Sequence, residues 1–416
     1  MQLIGPTWVS TVERRSPIAH ISVGPGYRAA RLLVTAGGVP VGRVTVRLRG
    51  GQASADEVAA AIDDHLGSDG PAPVPPASAE PVTVVVATRG RPNRLARCVR
   101  SILNGDHPDV TVLVVDNDPP DDRTGQVVRS LADLRVRYIR ECRRGASVGR
   151  NRGLFEAHTR VVAFTDDDTE VDRHWVSRLA GALSADAGLA CVSGLVLAAR
   201  LDTEQERAAD TALAWSKGFT PRRFSLDDPP PDSAIFPFSP GLFGIGANFA
   251  VRADLARDVG GFDEALGPGT ETHGGEDCEF MIRLILAGHT VAYEPSALLW
   301  HHHRTDGEAM RTQLHGYAVG LSALLTKIAL DRGARTAALR RIPAAVNQLR
   351  VISDREADAG YGMPDDAGTI RLLGTVTGPG AYLRARRAVR RAGGRVPPLT
   401  AASRPPAPAP LQSQIV

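Results

Sequence analysis

From Val82 onward the chain alternates short, nearly apolar runs with segments of helical spacing, and that alternation is the pattern of a parallel α/β sheet. Val82–Ala87 is apolar at almost every position, as a strand buried on both faces requires. Leu95, Cys98, Val99 and Ile102 then follow the i, i+3, i+4, i+7 spacing of a helix, with Asn93 as its expected N-cap and Gly105 as its end. Val110–Val115 reads as the second strand, Gln126–Leu134 as a helix and Val136–Ile139 as the third strand. A helix is expected through Asn151–His158, a fourth strand at Arg160–Thr165 and another helix at Asp172–Leu183, and the pattern continues to about residue 300. The expected fold class is therefore α/β, a mostly parallel sheet flanked by helices.

Two further units flank this body. Residues 1–70 hold two strand-like runs, Ala30–Thr35 and Val41–Leu48, joined by the turn signal Ala-Gly-Gly-Val-Pro, and a short helix at Ala55–Leu66 with Ser54 as its N-cap. They predict a small N-terminal β-rich unit. Residues 71–81 are proline-rich and read as a stiff, extended linker. The main domain is expected over 82–305. A C-terminal helical extension follows over 306–395, with amphipathic patterns at His315–Leu330 and Thr369–Arg391, and a disordered tail is expected over 396–416.

Composition removes several function classes. Lys and Arg total 49 against 46 Asp and Glu, a balance too even for a nucleic-acid partner. Cys98, Cys142, Cys191 and Cys278 lie far apart and form no CxxC pair, which argues against a zinc site or disulfide framework and fits a reducing cytoplasm. No signal peptide is expected at the N-terminus, and no run of 18 apolar residues suggests a spanning helix. The arginines gathered at the C-terminal end (Arg384, Arg386, Arg387, Arg390, Arg391, Arg395) would suit a peripheral contact with the anionic inner face of a membrane; a packed or solvated helix explains them equally well.

Sheets of this type bind ligands outside the carboxyl ends of their strands. Three of the early strands end there in polar groups: Thr88-Arg89, Asp116-Asn117 and Asp166-Asp167-Asp168. Three adjacent carboxylates repel one another unless a cation sits among them, and Mg²⁺ or Mn²⁺ takes oxygen ligands while bridging phosphates. In an extended segment Asp166 and Asp168 would share a side. A solvated acidic loop is the plainer reading of the three alone. The run Arg143–Gly153, rich in Arg and Gly, shifts the balance, because glycines admit a diphosphate to the backbone and Arg binds its oxygens bidentately. Further on, Glu276, Asp277 and Glu279 occupy the first turn of a helix whose apolar stripe is Phe280, Met281, Leu284 and Ile285. They serve the helix dipole there, or one of them serves as a general base. His301-His302-His303 follows an apolar strand, Val291–Trp300, and His301 and His303 share a face if the segment is extended.

In order along the chain, these elements resemble family 2 glycosyltransferases of the GT-A fold. Val84–Arg91 resembles the first strand and its nucleotide-binding turn, and Val114–Asn117 the second-strand end. Gly145–Gly153, with Arg150-Asn151-Arg152-Gly153, resembles the family's glycine-containing loop, with Gly149 where Ala is usual. Phe164–Asp168 resembles the Asp-x-Asp metal motif, Gly246–Phe249 and Gly260–Glu264 the acceptor-side segments, and Gly275-Glu276-Asp277 the motif whose Asp is the usual base. The match covers roughly residues 82–305. The resemblance implies an inverting, metal-assisted transfer of a sugar from a nucleotide-diphosphate sugar, UDP being the family's commonest, to an acceptor hydroxyl on a glycan, a lipid-linked sugar or a small molecule. It implies Asp277 as general base; Thr88, Arg89, Arg91, Asp116, Asn117, Arg144, Gly145, Arg150, Asn151, Asp166 and Asp167 at the donor; Asn248 and Glu276 toward the acceptor or donor sugar; and Asp168 and Asp166 with His301 or His303 at Mn²⁺ or Mg²⁺. Residues 218–240 lie where an acceptor loop would. Two other functions would use the same residues: a catalytically silent nucleotide-sugar-binding protein on this fold, and a sugar nucleotidyltransferase, which would release pyrophosphate.

Overall fold

The computed structural model describes residues 5–67, 70–239, 241–305, 307–344 and 366–400. Its N-terminal unit contains a strand that no turn signal marked, β1 (Thr7–Glu13), running parallel to β3 (Ala29–Ala36), which pairs antiparallel with β4 (Val39–Arg47). A two-residue pair, β2 (Ile21–Ser22) with β5 (Gln52–Ala53), closes the unit. Helix α1 (Ala55–His65) starts as expected at Ser54, whose hydroxyl accepts from the Glu57 amide while the Glu57 carboxylate accepts from the Ser54 amide. Its Val58 and Ile62 pack with Leu32, Val34, Val44 and Val46 in a core of their own. The opposite face of β3 places Leu33 against Leu195, Leu197 and Leu298 of the main domain, and Arg31 pairs with Asp210 at 3.0 Å.

Residues 71–81 adopt neither helix nor strand. They lie along the helix α5 described below: Pro75 and Pro76 press on Gly181, and Ser78 Oγ meets Ser184 Oγ at 2.8 Å.

The main domain is built on one large sheet. Its parallel half is β8 (Val136–Glu141), β7 (Val110–Asn117), β6 (Val82–Thr88) and β9 (Val161–Asp166), in that spatial order. Antiparallel β13 (Phe249–Arg252) joins β9 to β11 (Leu189–Ala198), which runs parallel to β14 (Thr290–His301). The short strands β10 (Thr169–Val171) and β12 (Arg222–Phe224) both pair antiparallel with β14. Alternation along the strands supplies two apolar layers. Val84, Val86, Val112 and Val114 face α2 (Pro92–Leu103) and α5 (Trp175–Ala185); Val85, Leu113, Val115 and Phe164 face α4 (Ala146–Glu156) and α8 (Glu276–Leu286).

Several boundaries differ from the expected ones for identifiable reasons. Helix α2 starts at Pro92, one residue before Asn93, because proline at the first helical position has a suitable φ and no amide hydrogen to satisfy. The third helix, α3 (Arg123–Ser130), stops short of Leu134; two residues beyond its end Ala132 has a φ of 49°, outside the helical region. Helix α5 starts at Trp175 rather than Asp172, since Asp172 Oδ1 accepts from the His174 amide in a turn ahead of it. The largest difference concerns residues 146–153, which form helix α4, not an open loop. Its glycines serve packing: a Cβ on Gly149 would stand 3.1 Å from the Ala87 Cβ, and one on Gly153 would collide with Val85.

The connections α6 (Glu204–Leu213) and α7 (Ala253–Asp258) precede the C-terminal helices α9 (Gly307–Leu330), α10 (Arg332–Leu339) and α11 (Ala367–Arg391). The extension is helical as expected and is docked on the main domain. Gly374 and Gly378 of α11 meet Ala318, Val319 and Ser322 of α9, and Gly316 and Gly320 of α9 meet the backbone at His273–Gly275. Residues 396–400, expected in the tail, are packed: Leu399 is buried in the main core, and the amides of Leu399 and Thr400 both donate to Asp331 Oδ2 at 3.1 Å. Residues 401–416 lie outside the described residues.

Candidate active site

Register brings the strand-end polar groups together. Thr88 pairs with Asp116 across β6 and β7, and Ala87 pairs with Asp166 across β6 and β9. Asp116 is fully buried; its Oδ2 accepts from the Tyr138 hydroxyl at 2.9 Å, and its Oδ1 has no partner among the described residues. Burial raises its pKa, with Tyr138 opposing. A buried acceptor with one vacant oxygen suits an N–H or O–H of a bound nucleoside. The neighbouring Asn117 is committed elsewhere: its Oδ1 accepts from the Gly145 amide at 2.7 Å and its Nδ2 donates to the Arg143 carbonyl, which holds the turn into α4. Arg89 is engaged with Asp118 at 3.0 Å, and Arg144 is exposed.

The three aspartates do not share a side. Strand β9 ends at Asp166, and Asp167-Asp168 form a turn, so the period of two stops there. Asp166 reaches Arg150 Nη2 at 3.0 Å. Asp167 is buried and accepts from the Thr88 hydroxyl at 2.6 Å and from Arg91 at 3.1 Å; burial pushes it up to about 6 against the pull of Arg91. Thr88, Arg91 and Asp167 thus brace the turn. Asp168 turns the other way, with Oδ1 3.2 Å from His301 Nε2 and Oδ2 3.5 Å from both Arg91 and Arg94. His301, with Arg91 and Arg94, outweighs its desolvation and holds it well below the ordinary carboxylate range.

His301 and His303 share a face as expected. Both rings pack on Trp215, with centroids 4.5 and 4.9 Å away, while His302 turns aside to Glu170 at 2.6 Å. Burial, with His301 nearby, lowers His303 to about 4, which leaves it a neutral imidazole; its Nδ1 and that of His301 are buried without a hydrogen-bond partner among the described residues. A cavity of about 160 Å³ opens beside them, its walls including Asp168, His302, His303, Arg94, Arg97 and Arg200. No group of three or more His, Cys, Asp or Glu gathers as a cation cage among the described residues. The donor set is smaller, one ionised carboxylate and the buried imidazoles of His301 and His303. It fits an ion that takes its remaining ligands from phosphate and water, as Mg²⁺ and Mn²⁺ do.

Arg150 links this edge to the acidic helix. It is buried; Nη1 donates to Glu276 Oε1 at 2.7 Å, and Nη2 donates to Asp166 Oδ1 and to the Gly246 carbonyl at 3.2 Å. Asp277, next to Glu276 and half-buried, accepts from the Gly246 amide at 2.6 Å. Carboxylates more than a hundred positions apart in the chain therefore meet around one guanidinium. Glu276 is spent on that pair; burial and the charge of Asp277 push it up to about 7 against Arg150.

Two further residues expected at the ligand are structural. Asn248 is fully buried, donates to the carbonyls of Leu195 and Ala297 at 2.9 Å and accepts from the Trp175 indole at 2.7 Å. Asn151 exchanges hydrogen bonds with Phe262 and reaches Glu264 at 3.1 Å. Both amides are engaged within the fold on their N–H and C=O sides. Within residues 218–239, Phe224, Phe236 and Phe238 pack into the core. Trp215, which carries the histidine rings, and Tyr317, a solvent-reached ring on α9 whose hydroxyl accepts from Gln313 at 3.0 Å, went unmarked in the sequence because each lies in a segment without motif spacing.

The sequence profile of glycosyl transferase family 2 matches residues 83–248. The chain is 32% identical over 237 residues to the pre-mycofactocin glycosyltransferase of Mycobacterium tuberculosis, covering 56% of this chain and 46% of that protein. It is 34% identical over 122 residues to the GalNAc(5)-diNAcBac-PP-undecaprenol beta-1,3-glucosyltransferase of Campylobacter jejuni, covering 27% of this chain and 37% of that protein. The chain spans less than half the length of the curated relatives it matches. Among solved structures, the mannosyltransferase PcManGT of Pyrobaculum calidifontis is similar with a TM-score of 0.48 and 19% identity, over 78% of this chain and 90% of that one. Through residues 83–248, then, the chain is similar to glycosyl transferase family 2.

Proposed function

We propose that this protein transfers a sugar, with inversion, from a nucleotide-diphosphate sugar to an acceptor hydroxyl. The observation that carries the reading is the Arg150 junction, which joins the end of β9 to the start of α8. It ties Asp166, at the strand edge read as the donor side, to Glu276, the neighbour of Asp277. In this reading Asp116 and Thr88 face the nucleoside at the strand ends, and UDP is the first nucleotide to try. Arg89, Arg91 and Arg144 stand on the donor side to meet phosphate charge. Asp168 with His301 or His303, and Asp166 behind them, would hold Mn²⁺ or Mg²⁺. A divalent ion bound there supplies Lewis-acid stabilisation of the departing diphosphate.

Asp277 takes the acceptor's proton. As the hydroxyl oxygen attacks the anomeric carbon, its O–H proton passes to the Asp277 carboxylate and the bond from that carbon to the diphosphate oxygen breaks. The bonding pair leaves with the nucleoside diphosphate, and a single in-line step inverts the centre. Tyr317 lies on α9 between Gly316 and Gly320, which pack on the start of α8; its ring would form a wall of the acceptor subsite. The Mycobacterium relative's name describes action on a pre-mycofactocin and the Campylobacter relative's a polyprenyl-linked glycan, so small-molecule and lipid-linked acceptors are both reasonable probes.

A thermal-shift screen of nucleotide sugars with Mn²⁺ tests the proposal. The expected result is stabilisation by one nucleotide sugar and its loss in Asp168→Ala. Stabilisation that persists in chelator, or release of pyrophosphate from a nucleoside triphosphate instead of diphosphate from a nucleotide sugar, would overturn it.

A further inference from the structure

Both carboxylate oxygens of Asp277 are held by backbone. Oδ2 accepts from the Gly246 amide at 2.6 Å and Oδ1 from the Cys278 amide at 2.8 Å. The second of these is a helix amide next in sequence; the first comes from a segment 31 residues away that must be fixed by something else. What fixes it is Arg150, whose Nη2 donates to the Gly246 carbonyl while also reaching Asp166. Gly246 has a reason to be glycine that is not backbone conformation, since its φ is not in the left-handed region. A Cβ there would stand 2.9 Å from Asp277 Oδ2, 3.0 Å from the Asp277 Cβ and 3.2 Å from Arg150 Nη2. The missing side chain is the space into which the carboxylate and the guanidinium close.

We infer that Gly246 and Arg150 form a positioning device for Asp277: the guanidinium fixes the Gly246 peptides, and the Gly246 N–H aims the carboxylate at the acceptor oxygen. The inference rests on the reading of Asp277 as base and changes the expected part of Arg150, which acts through Gly246 and not as a ligand of the donor. Each Asp277 oxygen accepts one backbone hydrogen bond and keeps a lone pair for the incoming proton. A carboxylate held this way is in place before the acceptor arrives, which is where orientation contributes to rate.

The test compares Gly246→Ala, Arg150→Lys and Asp277→Asn with the parent, using UDP-glucose, or the nucleotide sugar selected by the thermal screen, with Mn²⁺. Calorimetry gives nucleotide affinity, and steady-state kinetics give kcat and the donor KM separately. For Gly246→Ala the expected result is a kcat lower by about 100-fold, the cost of misplacing a reacting group by about an ångström, with nucleotide affinity and donor KM unchanged. Parental kcat in folded Gly246→Ala overturns the inference. Arg150→Lys covers the case in which alanine at 246 does not fold: kcat falls with affinity retained if Arg150 positions, whereas a loss of nucleotide affinity that leaves kcat intact makes Arg150 a donor ligand and overturns the inference. Asp277→Asn separates the layers, because parental transfer by that variant removes the base assignment itself whatever Gly246 does.

Discussion

At the scale of single residues, the site is a set of charges whose partners decide their roles. Glu276 is the sharpest case. Its folded-state pKa, about 7, lies above the ordinary 4.5 because burial and Asp277 disfavour its charge more than Arg150 favours it. The sign follows from linkage: the stability it contributes is complete below pH 4.5, declines as pH rises through about 7 and changes no further above that. Denaturation midpoints of the parent and Glu276→Gln across this range should therefore converge or cross, the parent losing ground between pH 4.5 and 7; parallel curves would contradict the assignment. Asn248 gives a second residue-scale prediction. Asn248→Ala strands the Trp175 indole N–H and the carbonyls of Leu195 and Ala297 in the core, each at a cost of about 1–3 kcal/mol. Urea denaturation should show the loss, while nucleotide affinity of the folded fraction stays at the parental value. These residues also show what the sequence could convey. Thr88, Asp116 and Asp166 were legible as a shared edge because strand ends are readable from apolar runs and register follows. The duties of Asn117, Asn151 and Asn248 were not, because each hydrogen-bonds a segment far away in sequence, and a motif lists residue types without saying which way their amides point.

At the scale of elements, glycine misled the reading of 145–153 because two opposite uses of it look alike in sequence. Gly149 and Gly153 allow α4 to lie close on β6, and the basic run is mostly helix. Helix α8, which carries Asp277, is held from behind by the C-terminal helices. Lys327 of α9 is buried and pairs with Asp263 at 2.6 Å and Glu279 at 2.7 Å; Glu279 is bidentate with Arg283, and Tyr382 of α11 also donates to Asp263. Lys327→Ala leaves buried carboxylates short of a cation and should cost about 3–5 kcal/mol of stability, measurable by chemical denaturation. A change under 1 kcal/mol, on the scale of about 0–1 kcal/mol typical of an exposed pair, would mean that the network is solvated. Among the described residues helix α11 keeps an exposed face on which Leu372, Leu373, Val376 and Leu383 lead into Arg387, Arg390 and Arg391. No helix among the described residues is long and apolar enough to cross a membrane. A face of this kind suits an anionic lipid surface, where a lipid-linked acceptor would be found. Flotation with phosphatidylglycerol-rich liposomes should carry the parent and lose Leu372→Glu; a parent that stays at the bottom of the gradient removes the membrane contact from the account.

At the scale of the molecule, three units meet around one sheet. The N-terminal unit packs through Leu33 on strands β11 and β14, the latter ending in the histidines, and the C-terminal helices pack on the start of α8. Both flanking units therefore touch elements that supply the site, which gives each a mechanical connection to it. The N-terminal unit was legible as strands and a capped helix, since turn and cap signals are local; its docking was not, because Leu33 reads as any alternate strand position. The central claim is that Asp168 and Asp277 serve one reaction. It is tested most directly by nucleoside diphosphate release from the stabilising nucleotide sugar with Mn²⁺ and acceptor, comparing the parent with Asp277→Asn at saturating donor. The account predicts that the variant binds donor like the parent, releases almost no diphosphate, and loses donor in chelator as the parent does; release at the parental rate by Asp277→Asn would contradict it.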